Sequence, residues 1–334
     1  MKELFEVTIE VLQRCPNQCI YCSSWSSPDK TEAMSFDTIR GIVDDAAELG
    51  AQLINLSGGE PLSRLDIVDV IDYIKSKNLK IRLYTSGIYY EHGYKSIPLA
   101  LLNAIKGKID TLIFNYEAGN PDLYAKIMGT VPANFSLLED TLKKAIELGI
   151  TVEAHLVPMK CNFLLIPQTL ERIYALGVSK VSLLRFVPQG RSVENVETTA
   201  LSSEEEAILR EMLKELSLRY GEKLRLGKPY RYERFSTCWT GTIRLAVRYD
   251  GYVFPCGAFK DGMMTFKGFA PENIKDKNLA EIYRDSEYVK AVRDELERYY
   301  EGVVCEPCFG QYCRNNRSFI GLKDIVRNSS NNNF

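Results

Sequence analysis

From residue 1 to about residue 200 the chain alternates short β-branched runs with amphipathic stretches of helical period. That order constrains the fold more than any other feature. A helical crossover returns the backbone to the same end of a sheet, so successive strands must run parallel. Six runs read as strands: Phe5–Leu12, Leu53–Ser57, Ile81–Thr85, Thr111–Tyr116, Val152–Val157 and Val181–Phe186. The helices between them include Ser35–Leu49, with a serine at its N-cap and Gly50 just past its end, then Leu65–Lys77, Leu137–Leu148 and Ile166–Leu176. Parallel strands joined by helices curl into a barrel or an open sheet and carry function at their carboxyl ends.

Two loops at such ends carry chemistry. The first, Arg14–Trp25 (RCPNQCIYCSSW), follows the alternating run FEVTIEVL and places Cys15, Cys19 and Cys22 in a C-x3-C-x2-C spacing. Three thiolates fit three corners of a cubane iron–sulfur cluster. No fourth cysteine follows until Cys161, so one iron would stay open to an exogenous ligand. Half a zinc site is the competing assignment, but structural zinc uses a complete set of four N or S ligands, and the two histidines, His92 and His155, are remote in sequence. A buried structural trio is opposed by Pro16, Asn17 and Gln18, which make the intervening loop polar. In the second loop, Leu53–Ser57 runs into Gly58-Gly59-Glu60-Pro61.

The cysteine loop, with Tyr21 in the aromatic slot of C-x3-C-x-aromatic-C, together with the glycine loop that follows, resembles the radical S-adenosylmethionine (radical SAM) superfamily. The resemblance covers the whole N-terminal region and implies an α/β fold, the partial (β/α)6 barrel of that family. It implies a [4Fe-4S] cluster with an open iron site that binds S-adenosylmethionine and cleaves it reductively to a 5′-deoxyadenosyl radical. It assigns backbone groups of Gly58 and Gly59 and the carboxylate of Glu60 to the methionyl ammonium. Asn115 or, two residues on, Glu117 is assigned to the ribose, and Arg185 to the methionyl carboxylate or a substrate acid. His155 reads as an acid or base facing the cavity or, more simply, as a satisfied core histidine. Cys161 reads as a hydrogen-atom donor or as packing, and packing is preferred.

Residues 201–220 (LSSEEEAILREMLKELSLRY) form a helix with serines and glutamates at its start. Lys223–Phe235 (KLRLGKPYRYERF) mixes basic residues with tyrosines and reads as a connector in preference to an RNA or acidic-ligand site. From Cys238 the pattern changes. Two alternating runs flank Asp250-Gly251, a hairpin signal that would bring Cys238 and Cys256 together. A helix from Leu279 to about Tyr299 leads to Cys305, Cys308 and Cys313. Cys238, Gly251 and Cys256, then Asn273-Ile274 and the C-x2-C at Cys305, resemble the SPASM or twitch extension of radical SAM enzymes, which holds auxiliary clusters. A full SPASM domain continues as C-x2-C-x5-C-x3-C with a further cysteine; here Cys313 alone follows, at x4. The resemblance thus implies one auxiliary [4Fe-4S] cluster on Cys238, Cys256, Cys305 and either Cys308 or Cys313. The domains expected are 1–200 (barrel), 201–235 (helical bridge and connector), 236–327 (auxiliary-cluster domain) and 328–334 (disordered polar tail).

A net charge of −2 gives no global attraction to nucleic acid, and no apolar run is long enough for a bilayer or resembles a signal peptide. A cytoplasmic protein is expected, in which nine cysteines serve as metal ligands or reactive thiols before disulfides. The resemblance implies an oxidoreductase or maturase, an external electron donor such as ferredoxin or flavodoxin, and a peptide or small-molecule substrate. The reaction expected is the oxidative modification of a peptide, a protein, or a cofactor or natural-product precursor. Because the first strand opens at residue 5, a fused leader-peptide recognition domain is not expected, which lowers the ribosomal-peptide option. The alternatives are a twitch-type dehydrogenase of a small alcohol or sugar and, in a different class, a non-catalytic iron–sulfur electron carrier.

Overall fold

In the computed structural model, which describes residues 3–227, 238–260, 265–302 and 319–320, the six expected strands lie side by side in chain order. They are β1 (Glu6–Glu10), β2 (Leu53–Ser57), β3 (Lys80–Thr85), β4 (Thr111–Asn115), β5 (Val152–Leu156) and β6 (Lys180–Leu183). Each neighbouring pair is parallel. The crossover helices are α1 (Phe36–Glu48), α2 (Ile67–Ser76), α3 (Leu99–Ile105), α4 (Pro121–Met128), α5 (Asn134–Glu147) and α6 (Ile166–Ala175). The Ser35 hydroxyl accepts the Thr38 N–H at the start of α1, as its N-cap position requires. Helices α3 and α4 were not expected, being only 7 and 8 residues long.

The sheet does not stop at six strands. Beyond β6 lies α7 (Ser203–Tyr220), which opens on a capping box made by Ser202 and Glu205. It returns the chain to β7 (Leu224–Leu226), parallel to β6. The first residues of the expected basic connector are therefore sheet. Leu224 and Leu226 are buried, and Arg225 between them donates from Nε to the Ser182 hydroxyl at 2.9 Å. Residues 228–235 of that segment lie outside the described residues. At the other edge β8 (Arg244–Val247) pairs parallel to β1, and β9 (Val253–Phe254) pairs antiparallel to β8. This is the hairpin expected around Asp250-Gly251, and it continues the barrel sheet. The two edges, β9 and β7, are not paired with each other, so the barrel is partial.

Strands of a parallel sheet covered on both faces read as continuous apolar runs. These alternate instead. One set of residues, Val7, Ile9, Ile54, Leu56, Ile81 and Leu83 among them, enters the apolar core with the helices. The other set is polar and meets inside the barrel. Asn55 Nδ2 donates to Thr8 Oγ1 at 3.3 Å, Arg244 pairs with Glu6 at 3.3 Å, and the Tyr84 and His155 rings meet edge-on at 5.3 Å. The barrel interior is thus built for polar contents at its open end.

The single helix expected from Leu279 is two, α8 (Leu279–Asp285) and α9 (Glu287–Gly302). Ser286 divides them: its N–H still bonds Ile282 O at 3.1 Å, while its hydroxyl accepts the Val289 N–H at 3.2 Å and starts the second helix. The tail from 328 lies outside the described residues. Among the described residues no helix is long and apolar enough to cross a membrane.

Candidate active site

The cysteine loop leaves β1 and lies over the carboxyl ends of β1 to β4. It closes a cavity of about 170 Å³ lined by Cys15, Cys19 and Cys22 together with Tyr21, Gly58, Gly59 and Asn115. Cys15, Cys19, Cys22 and Cys161 are free thiols. No group of three His, Cys, Asp or Glu able to hold one metal ion occurs among the described residues. Three thiols on one loop suit a cubane, which takes one thiolate at each of three separate irons. Burial pushes the Cys15 and Cys19 thiols up, so a metal centre must supply the positive charge that makes them thiolates.

The glycine loop is fused to the cysteine loop through backbone. Gly59 N–H bonds Leu12 O at 2.7 Å and Glu60 N–H bonds Arg14 O at 2.9 Å. A Cβ on Gly59 would lie 1.9 Å from Arg14 O, so only glycine permits the approach. Glu60 itself does not line the cavity. It is fully buried, and its carboxylate accepts from Leu62 N–H (3.2 Å), Thr85 Oγ1 (2.9 Å), Ser86 N–H (2.7 Å) and Ser86 Oγ (2.6 Å). Burial pushes it up to about 7 against those four donors. In this position Glu60 ties the glycine loop to the end of β3, where Tyr84, Thr85 and Ser86 line the cavity.

Of the two ribose candidates, Asn115 lines the cavity and Glu117 does not. Glu117 is buried beneath Tyr21. It accepts the Tyr21 hydroxyl at 2.7 Å and the Val157 N–H at 2.7 Å, and burial pushes it up to about 7. The Tyr21 hydroxyl in turn accepts from Asn115 Nδ2 at 3.3 Å. Asn115, Tyr21 and Glu117 thus form one chain from the cavity wall inward. Arg185, Cys161 and His155 do not line the cavity. His155 is pushed down to about 3, first by burial and then by Arg225 and Arg82, so it is neutral. His92 is exposed at φ +55, in the turn of a small hairpin formed by Ile88–Tyr90 and Tyr94–Ser96.

Among the cavity residues that escaped the sequence reading, three are linked to one another. Glu10, at the end of β1, accepts the Ser24 hydroxyl at 2.6 Å and pairs with Lys260, which lies four residues past Cys256. Glu10 was legible as the last polar position in the β1 alternation; Ser24 and Lys260 carried no such signal. The auxiliary cysteines begin beside this wall. Gly241 N–H bonds Pro255 O at 2.8 Å, a tie between the two arms near Cys238 and Cys256. Cys305, Cys308 and Cys313 lie outside the described residues.

The profile of the radical SAM superfamily matches residues 9–177, just over half of the chain. The chain belongs to the radical SAM superfamily. The profile of the SPASM iron–sulfur cluster-binding domain matches residues 238–309. This radical SAM enzyme is similar in sequence to proteins named "Probable GTP 3′,8-cyclase". The one from Methanococcus maripaludis is 28% identical over 272 residues, 76% of this chain and 85% of that protein. The one from Methanosarcina acetivorans is 28% identical over 324 residues, 88% and 90%. In fold it is similar to Streptococcus suis SuiB bound to S-adenosylmethionine, at a TM-score of 0.71 and 15% identity over 94% of this chain and 75% of that one. It is also similar to anSMEcpe with bound AdoMet, at a TM-score of 0.63 and 14% identity over 86% and 82%. The radical SAM enzyme accordingly uses a [4Fe-4S] cluster, S-adenosylmethionine and auxiliary iron–sulfur. Its reaction requires a reductant and a substrate. When bound, cluster and S-adenosylmethionine together supply a carbon radical on one-electron reduction. Backbone contacts of the glycine loop and the Tyr21–Glu117 hydrogen bond hold the half-buried cysteine loop over the cavity.

Proposed function

We propose that this radical SAM enzyme cleaves S-adenosylmethionine to a 5′-deoxyadenosyl radical that takes a hydrogen atom from a substrate, the outcome being an oxidation. The substrate class is a peptide or protein, or a cofactor or natural-product precursor. The observation that carries this reading is the Glu10–Lys260 pair in the cavity wall, which puts the segment just past auxiliary Cys256 beside the three thiols. An electron left on the substrate radical then has an acceptor on the same wall. One hydrogen atom goes to the deoxyadenosyl radical, one electron to the auxiliary cluster and one proton to solvent. A ferredoxin or flavodoxin supplies the electron that starts the cycle.

In this reading the Gly58 and Gly59 backbone receives the methionyl ammonium and Asn115 the ribose, while Glu60 and Glu117 position those groups from behind. Cys238, Cys256, Cys305 and either Cys308 or Cys313 hold one auxiliary [4Fe-4S] cluster, on a C-terminal extension whose first two strands join the barrel sheet. The test is anaerobic: reduced, reconstituted protein with S-adenosylmethionine is assayed for 5′-deoxyadenosine, and none in the wild type would end the proposal. A second reading comes from the relatives named GTP 3′,8-cyclases, which match most of both chains. Consumption of GTP that requires S-adenosylmethionine, with a cyclised product, would select it over oxidation.

A further inference from the structure

The turn that follows β6 plays no part in the account so far, yet it grips the cysteine loop at four points. Gln189–Val193 folds on itself, with Gln189 N–H donating to the Ser192 hydroxyl at 2.8 Å. From this turn the Arg191 N–H bonds Cys22 O at 2.9 Å. The Arg191 guanidinium donates from Nη1 to Cys19 O at 2.8 Å and from Nη2 to Ser26 O at 2.8 Å, and Asn195 Nδ2 reaches Ile20 O at 3.3 Å. Buried carbonyls without such donors would each weaken the loop. The same turn touches the auxiliary side, where Gln189 Nε2 donates to Gly257 O at 2.6 Å, one residue past Cys256.

Arg191 brings more than hydrogen bonds. It is 9% exposed, and both terminal nitrogens go to neutral carbonyls rather than carboxylates, so these contacts leave its charge uncancelled. The guanidinium lies 5.8 Å from the Trp25 ring centroid, over the outer edge of the loop. It lies against the loop that carries the three thiols, its Nη1 and Nη2 on the carbonyls of Cys19 and Ser26 and its N–H on Cys22 O. A reduced cluster carries one more negative charge than an oxidised one, and a fixed cation in a low-dielectric site favours the reduced form.

We infer that Arg191 is a positioning residue for the cluster loop and that its buried charge sets the reduction potential of the cluster bound there. This rests on the assignment of Cys15, Cys19 and Cys22 as cluster ligands and goes beyond it.

The test is a redox titration of the full-length reconstituted protein, followed by electron paramagnetic resonance, with iron and sulfide counted in each sample. The signal of interest is the one that shifts when S-adenosylmethionine is added, which separates it from the auxiliary cluster. Arg191→Met should keep its iron, and its reduced-to-oxidised ratio at the wild-type midpoint should fall about tenfold, a shift of about −59 mV for one electron. Arg191→Lys, which keeps the charge, should stay within about twofold of wild type. Full iron and an unchanged ratio in Arg191→Met would overturn the inference. If Arg191→Met takes up no iron at the first site, Arg191→Lys decides. A loaded cluster with the wild-type ratio supports the charge, whereas a tenfold fall or no cluster leaves only a brace. A wild-type protein with no signal responsive to S-adenosylmethionine would sink the ligand assignment as well, so the two failures are distinct.

Discussion

The loop carrying Cys15, Cys19 and Cys22 draws its three thiols from eight consecutive residues but its support from far away. The Glu60 N–H holds Arg14 O, the Met128 carbonyl takes the Gln18 N–H at 3.0 Å, and Arg191 holds Cys19 and Cys22. The auxiliary region scatters its ligands instead. Cys238 and Cys256 come from the two ends of a hairpin and further thiols only from Cys305 on, and the hairpin is held both close at hand and, through β8, by β1. Gly241 bonds Pro255, Ile274 N–H bonds Gly251 O at 3.0 Å, and Asn273 Nδ2 bonds Asp250 O at 3.1 Å. Ligands gathered in one loop make a site recognisable from spacing. Ligands scattered over the two ends of a hairpin and beyond make one that spacing alone does not assemble, and both sites lean on the barrel sheet.

The largest effect should come from emptying the first site. Replacing Cys15, Cys19 and Cys22 together by Ala should abolish 5′-deoxyadenosine formation and reduce iron from about eight to about four atoms per chain, the auxiliary cluster remaining. Cleavage that persists would sink the ligand assignment. About twelve irons in the wild type would instead show a second auxiliary cluster.

The two motif glycines sharpen the contrast. Gly59→Ala drives a Cβ to 1.9 Å from backbone, which cannot yield cheaply, and should cost about 3 kcal/mol and empty the first site. Gly251→Ala, at φ +94, meets the Asn273 side-chain oxygen at 2.6 Å, which can rotate away; it should cost about 1–2 kcal/mol and leave the first cluster in place. Thermal midpoints with iron counts test both, and equal losses at the two sites would break the comparison.

A smaller effect reads the brace under Tyr21. Glu117 titrates near 7 in the native state and near 4.3 when unfolded, so the native state holds the extra proton in that window. Stability should fall as pH rises from about 4.3 to 7 and level off above. Glu117→Gln should flatten that slope, though Glu60, also near 7, keeps part of it. Thermal midpoints of both proteins between pH 5 and 8 check this; identical slopes would refute it. Least affected should be Cys161→Ala, since Cys161 does not line the cavity. Normal substrate turnover is expected, and its loss would revive a hydrogen-donor role.

The barrel was legible because each strand carries its own alternation. Val7, Ile9, Ile54 and Leu56 face the core, and each run is bounded by a turn or a loop. What was not legible depends on partners. Leu224–Leu226 is three residues long and reads as sheet only once β6 is beside it. Likewise Arg244–Val247 looks like the start of a separate hairpin until its register with Glu6–Ile9 is seen. The break at Ser286 could have been read from Asp285-Ser286-Glu287, a cap signal inside an otherwise helical stretch. At the site, Cys15, Cys19, Cys22, Gly58, Gly59, Asn115 and Tyr21 were found from motifs and do line the cavity. Glu60 and Glu117 were assigned to the cofactor because motif position says nothing of which way a carboxylate turns, and both turn into the wall. Arg191 has no local signal, since its partners are carbonyls, which every residue possesses.

The contact between Arg191 and Cys19 spans 172 residues of chain, and that separation sets an order of biogenesis. The ribosome delivers the three cysteines long before Arg191, and the turn that holds their loop emerges only after the sixth strand has been made. The cradle is therefore complete only once synthesis has passed that turn, and the machinery that delivers iron and sulfide should find a held loop no earlier than this.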